Sequence, residues 1–195
     1  VTISFNPENH TYTVTNGDGV PQVWPSVTQV LADMGFVDSR WFTEESRERG
    51  TLVHRVIHWH LSGELDEGSI DPALQGYFDA FKKFQTDSQF EAWDVERPLK
   101  NDLYRFCGTP DYTGRLGGYS VVLDAKSGMI SPVTGIQLAG YQTLINSPYK
   151  RFALQLKANG KYKLTEYKDS NDRHIFKAAL ACWWFKKNNL KRKGA

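Results

Sequence analysis

The stretch Val121-Val122-Leu123-Asp124-Ala125-Lys126-Ser127-Gly128 decides how this chain is read. Three apolar residues point to a strand entering a core, yet the strand closes with a carboxylate and an ammonium two residues apart. Side chains alternate along a strand with period two, so Asp124 and Lys126 share one face and Leu123 and Ala125 take the other. Upstream, Gly117-Gly118 reads as a tight turn from a preceding strand. With Leu116 opposite Tyr119, each step away from the turn keeps the pairing, and Asp111 falls opposite Asp124. Carboxylates on opposed positions have β-carbons about 4.5–5.5 Å apart and repel each other. A hard divalent cation between them, Mg²⁺ or Mn²⁺, removes the repulsion and can take substrate phosphate as a further ligand. The alternative is an exposed strand end with a weak Asp–Lys pair. Pro110 is the place where a bulge would shift this register.

The 195 residues suffice for one domain, expected over 1–195, with a sizeable core. A hydrophobic fraction of 40% fits a globular chain, and no apolar run approaches the ~20 residues of a membrane span. The start, VTISFNPENH, lacks the pattern of a secretory signal, which makes the cytoplasm the expected compartment. Cys107 and Cys182 are expected to be buried free thiols, too few for a four-thiolate cluster. A net charge of +2 says little about partners. The tail KKNNLKRKGA concentrates positive charge that reads as a solvated terminus or as a phosphate contact.

Along the chain, ISF and TYTVT suggest an N-terminal β-hairpin, and Ser26 caps a short helix ending near Gly35. A helix is expected over 43–61, where Leu52, Val53, Val56, Ile57 and Leu61 recur at helical spacing, with Gly50 as a bend or close approach. Asp71-Pro72 opens another, with Leu74, Tyr77, Phe78, Phe81 and Phe84 as its apolar stripe. Strands follow at 91–99, 104–116 and 119–127. Ser131-Pro132 opens a helix to about Asn146. Strands at 152–158 and 161–167 flank Asn159-Gly160, a two-residue hairpin turn, and a last helix covers 172–188. The fold class is α/β, a mixed central sheet flanked by helices with an N-terminal β-hairpin.

Several side chains allow two readings. Arg47 and Arg49 suit a terminal phosphate or a solvated helix face. His54 and His58 stand at i and i+4, a spacing that can present two imidazoles to zinc, but no Glu follows His54 in the HExxH manner. His58 and His60 are otherwise surface or packing residues. Trp41, Trp59, Trp183 and Trp184 suit base stacking or core filling, and none is assigned to substrate.

Four signatures occur in order: Gly50-Thr51-Leu52-Val53-His54, Pro110-Asp111, Asp124-Ala125-Lys126, and Gln137-Leu138-Ala139-Gly140-Tyr141. On these residues, over about 20–141, the chain resembles the PD-(D/E)XK nuclease superfamily, in its RecB-like and phage exonuclease branch. HTYTV and VWPSVTQVL add a softer likeness to phage-encoded members. Branch members often carry DYKTG where this chain has DAKSG. The resemblance implies a restriction-endonuclease-like core and a metal-dependent DNA exonuclease of recombination or repair. An endonuclease, a junction resolvase or a non-catalytic nucleic-acid-binding module are the alternatives.

The resemblance also implies the site. Asp111, Asp124, the Ala125 carbonyl and His54 would be metal ligands, with Glu96 on a metal or its water. Lys126 would orient or deprotonate the attacking water or stabilise the phosphate, and Gln137 and Tyr141 would contact substrate or the catalytic strand. The implied cofactor is Mg²⁺ or Mn²⁺, and the partners are DNA, a phage single-strand annealing protein and further copies of the chain. For a phage-encoded chain the compartment is the bacterial host cytoplasm. Phosphodiester hydrolysis requires acceleration toward the upper end of about 10⁶–10¹⁷-fold, and acid–base groups alone supply only about 10²–10⁴. A metal accounts for the difference.

Overall fold

The computed structural model describes residues 2–17, 19–37 and 43–190. Trp41 and the end of the basic tail, 191–195, lie outside them. An N-terminal sheet of β1 (Thr2–Asn6), β2 (Thr11–Thr15) and β3 (Pro21–Trp24) is followed by α1 (Val27–Asp33), α2 (Glu44–Ser62) and α3 (Pro72–Ser88). Then come β4 (Glu91–Val95), β5 (Leu99–Asn101), β6 (Phe106–Gly108), β7 (Tyr112–Leu116) and β8 (Tyr119–Lys126). The chain continues with α4 (Val133–Ile145), β9 (Lys150–Leu156), β10 (Tyr162–Tyr167) and α5 (Asn171–Asn189).

The central sheet is mixed, in the order β10-β9-β8-β7-β4, with β8 and β9 parallel and the other pairs antiparallel. Helix α4 makes the crossover between the parallel strands, as a parallel pair requires. One face packs on α2 and α3, where Val53, Ile57, Phe78 and Phe81 meet Tyr112, Leu123 and Leu154. The other packs on α1, α4 and α5, where Val27, Leu138 and Phe176 meet Val122 and Ala153. Each fully buried aliphatic or aromatic side chain contributes about 1.5–3 kcal/mol, so the phenylalanine stripe of α3 anchors the first layer. Among the described residues no helix is long and apolar enough to cross a membrane.

The helix starts follow their caps. Ser26 Oγ accepts from Gln29 N (3.0 Å), Thr43 Oγ1 from Ser46 N (3.2 Å) and Asp71 Oδ1 from Ala73 N (2.8 Å). Ser131 is not a side-chain cap: α4 starts at Pro132 without a side-chain cap bond, and only the Ser131 carbonyl is used, by Thr134 N. Helix α2 runs unbroken through Gly50, where an added Cβ would meet Ser127 Oγ at 3.8 Å, an ordinary contact.

Five other expectations change. The strand expected over 91–99 ends at Val95, and Leu99 opens β5 in a separate ribbon. The N-terminal hairpin gains a third strand, β3, which pairs with β2. The strand expected over 104–116 is two, because Pro110 interrupts it, and β6 instead pairs with β5 in a separate ribbon. The Asn159-Gly160 turn is a three-residue loop, since Lys157 N bonds Lys161 O and only Gly160 takes positive φ (74°). Both cysteines are free, but Cys182 is exposed.

Candidate active site

The Gly117-Gly118 turn has the positive φ at both positions (53° and 82°) that a tight hairpin of this hand needs. It sets the expected register, Leu116 with Tyr119 through to Tyr112 with Leu123. The ladder stops one pair short of Asp111. Pro110 precedes β7 and bends the chain, so Asp111 reaches across β8 with its side chain: Oδ2 accepts the Ala125 amide at 2.8 Å. Its carbonyl accepts the Glu96 amide at 2.9 Å. Glu96 is held at φ 48°, a left-handed conformation that costs a non-glycine residue on the order of 1–3 kcal/mol and is found where surrounding structure imposes it.

Asp124 is 1% exposed on the α4 side of the sheet. Its Oδ1 accepts from Lys126 Nζ (3.0 Å) and from Gln137 Nε2 (3.2 Å). Oδ2 is 2.8 Å from the same ammonium but has no hydrogen bond of proper geometry. Burial pushes the Asp124 carboxyl up to about 6; Lys126 opposes the rise and Asp111 adds to it. Burial acts against the Lys126 ammonium, yet the Asp124 and Asp111 charges outweigh it, so Lys126 is held cationic above its ordinary range.

Gln137 and Tyr141, one turn apart on α4, are bonded to each other, Gln137 Nε2 donating to Tyr141 Oη at 3.2 Å. One amide thus ties Asp124 on β8 to a buried phenol whose pKa burial drives well above 10. Gly108 lets α4 come this close, since a Cβ there would stand 2.9 Å from Leu144 and 3.1 Å from Tyr141.

On the opposite wall, helix α2 delivers His54. Its Nε2 donates to the Ala125 carbonyl at 3.0 Å, which leaves Nδ1 facing Asp111 Oδ1 (3.8 Å) and Glu96 Oε1 (3.9 Å). Glu96, Asp111, Asp124, Lys126, Gln137 and Tyr141 line a cavity of about 500 Å³, and His54 stands outside that lining, behind Ala125 and Asp111.

No family model matches the chain, and no curated protein matches it in sequence. Its fold does have solved counterparts. A chain from Eubacterium rectale named "Putative exonuclease" superposes with a TM-score of 0.56 at 12% identity, covering 87% of this chain and 83% of that one. An alkaline exonuclease from Laribacter hongkongensis gives a TM-score of 0.50 at 13% identity, covering 83% and 86%. The chain shares its fold with these two proteins.

Within this fold, the four signatures separated in sequence meet at one place. The arginines do not join them. Arg47 is exposed and Arg49 lies over the Tyr77 ring at 5.9 Å, and neither lines the cavity. Other residues approach the site, His58 beside Glu96 and three N-terminal side chains in the cavity lining. His58 is more than a surface residue, because its Nδ1 comes to 3.5 Å from Glu96 Oε2; the i, i+4 spacing from His54 was the available signal. His60 turns away to Gln85 and Phe78. Phe5, His10 and Tyr12 of the N-terminal hairpin form a cavity wall; His10 and Tyr12 belong to the HTYTV stretch, for which the sequence implies no site role.

The donor chemistry fits a hard cation. Three carboxylates line one cavity, the His54 Nδ1 lies 3.8 Å from one of them, Asp111, and the buried Asp124 Oδ2 lacks a hydrogen bond. Among the described residues no three His, Cys, Asp or Glu side chains are already drawn together as a ligand set. Lys126 neutralises Asp124 in this arrangement.

Proposed function

We propose that this chain, read as one nuclease domain, is a divalent-metal-dependent DNA exonuclease serving recombination or repair. The observation that carries the reading is the convergence of Asp111, Asp124, Glu96 and Lys126 on one cavity in a nuclease fold. Asp111, Asp124 and Glu96 would hold Mg²⁺ or Mn²⁺, with His54 Nδ1 and the Ala125 carbonyl as further donors. When bound, the metal supplies an activated water and charge neutralisation at the phosphate.

The chain's own groups have separable tasks. Asp111 is oriented by the Ala125 amide, and Asp124 by Gln137, so the two carboxylates face the cavity without free rotation. Gln137, fixed by Tyr141, is a positioning residue. His54 donates from Nε2, which fixes the tautomer and leaves Nδ1 as an acceptor. Lys126, held cationic, serves as a charge beside the phosphate rather than as a base. Tyr141 stays a neutral phenol.

The test is hydrolysis of 5′-labelled, 3′-labelled and covalently closed circular DNA with and without Mg²⁺ or Mn²⁺. Metal-dependent release of mononucleotides from linear DNA only, lost in Asp124→Asn, is expected. Cleavage of closed circles would show an endonuclease, and binding without hydrolysis in either metal would show a non-catalytic module.

A further inference from the structure

Away from the catalytic cavity, two hollows of about 480 and 430 Å³ run together between α4, α5 and the start of β9, sharing Gln142, Arg173 and Lys177. Lys150 pairs with Val121 while Ala153 pairs with Asp124, so the hollow opens three residues, about 10 Å, back along β8 from the catalytic carboxylate.

Its cations are held by neutral groups. Arg173 donates to Gln142 Oε1 at 2.9 Å, and Lys177 to Tyr104 Oη at 3.1 Å. The Lys150 ammonium sits 3.1 Å from the Tyr119 ring centroid. Among the described residues none of the three has a carboxylate within 4 Å, whereas cations elsewhere on the surface do, as in Arg115–Glu91 at 2.7 Å and Lys83–Asp87 at 3.0 Å. The acids nearby are already engaged. Glu166 pairs with Lys168, Asp172 with Arg151, and Asp169 Oδ1 accepts the Asn171 amide. Among the described residues Lys150, Arg173 and Lys177 thus have no carboxylate partner of their own, and with Asp169 as the one lining acid not paired to a cation the hollow keeps a net positive charge.

Aromatic rings accompany these cations: Tyr104 and Tyr149 line the hollows, Lys177 and Lys150 stand over the Tyr104 and Tyr119 rings, and Trp93 adjoins through Tyr149. Trp93, 49% exposed, meets Tyr149 edge-on at 6.3 Å, and Tyr104 and Tyr119 are also exposed. A patch meant only for an acidic protein or an inorganic anion has no use for four rings. A flexible polyanion carrying flat apolar groups uses both features, with phosphates on the cations and bases on the rings.

We propose that this hollow is a second nucleic-acid site, which holds a single strand with phosphates on Lys150, Arg173 and Lys177 and bases against Trp93, Tyr149 and Tyr104. It rests on the nuclease reading only in the choice of DNA as the polymer. The site grips a strand whose scissile end is in the cavity, so it acts on long substrates and not on small ones.

The full chain is compared with Lys150→Gln/Arg173→Gln/Lys177→Gln and with Trp93→Ala. One readout is anisotropy of a labelled oligothymidylate of about 20 nucleotides in metal-free buffer, longer than the ~4–16 nucleotides one compact binding fold covers. The other is hydrolysis of bis(p-nitrophenyl) phosphate in Mn²⁺. The triple variant is expected to bind at least about tenfold more weakly, with the salt dependence flattened by about 2 in log–log slope, since each phosphate contact contributes ~0.7. Trp93→Ala is expected to lose about fivefold or more. Both should hydrolyse the small ester at the wild-type rate.

Unchanged affinity and slope in the triple variant would overturn the proposal. So would a loss in the triple variant with none in Trp93→Ala, which would mark a general anion patch. Should the triple variant melt early, Arg173→Gln, on the exposed side of α5, carries the same comparison. A wild type inactive on both ester and DNA would sink the nuclease reading alone, and the binding comparison would still decide this one.

Discussion

Arg151 on β9 and Asp124 on β8 are buried charges on adjacent strands, each with an ionic partner, Asp172 and Lys126. The Arg151 guanidinium is well satisfied: it donates to Asp172 Oδ2 at 2.9 Å, to the Gly135 carbonyl at 3.0 Å and to the Asp169 carbonyl at 2.6 Å. It ties β9 to α4 and to the entry of α5. Asp124 keeps an oxygen without a hydrogen bond, sits beside a second carboxylate, and has its pKa pushed up to about 6. A charge that serves the fold is bonded until nothing is left over. On the proposed function, Asp124 is a charge that serves chemistry, and it keeps unmet valence at the expense of stability.

The largest expected effect separates the pairs by activity. Asp124→Asn should lower DNA hydrolysis by about 10²–10³-fold or more, the scale of losing one preorganised electrostatic group. Asp172→Asn should leave the rate of the folded protein unchanged. Stability should divide the other way. Arg151→Met strands the half-buried Asp172 carboxylate and two backbone carbonyls and should cost about 3 kcal/mol, lowering the thermal midpoint by roughly 10 °C. Asp124→Asn, by contrast, should stabilise the metal-free protein by on the order of 1–3 kcal/mol in urea unfolding. Saturating Mn²⁺ should reverse that order, because it stabilises only the wild type.

The pH dependence sharpens the same contrast. With a folded pKa of about 6 against an unfolded value near 3.8, Asp124 binds more protons folded than unfolded between those values. Its contribution therefore makes stability fall as pH rises from about 4 through 6, and adds no further slope above. Comparing urea midpoints of wild type and Asp124→Asn across this range isolates the effect, and a constant difference would contradict it. Activity should fall on acidification through about pH 6, with the limb moving lower as Mn²⁺ is raised, since metal and proton compete for one carboxylate. The smallest effect belongs to Gln137→Leu, which frees Asp124 to turn. About tenfold in kcat with little change in KM is expected, as for an outer-shell partner.

Much of this was legible beforehand. Alternation placed Asp124 and Lys126 on one face, the glycine turn fixed their register, and Asp71-Pro72 and the phenylalanine stripe announced α3. Such features depend on a few neighbouring residues. The Pro110 bend was visible as a risk, but not its result, because whether a proline bulges a strand or ends it depends on what the freed segment can pair with. Here that partner was β5. The approach of His58 to Glu96 and the Phe5–Tyr12 wall join segments far apart in sequence, and no local pattern encodes such contacts. The difference between the two buried charges was likewise invisible, since it lies in which backbone carbonyls reach each side chain.

The central claim is that Asp111 and Asp124 together hold a hard cation, and anomalous diffraction from crystals soaked in Mn²⁺ tests it most directly. The account predicts one strong peak within ligand distance of both carboxylates, absent in Asp124→Asn. A peak on His58 alone, or none between the two aspartates, would contradict it.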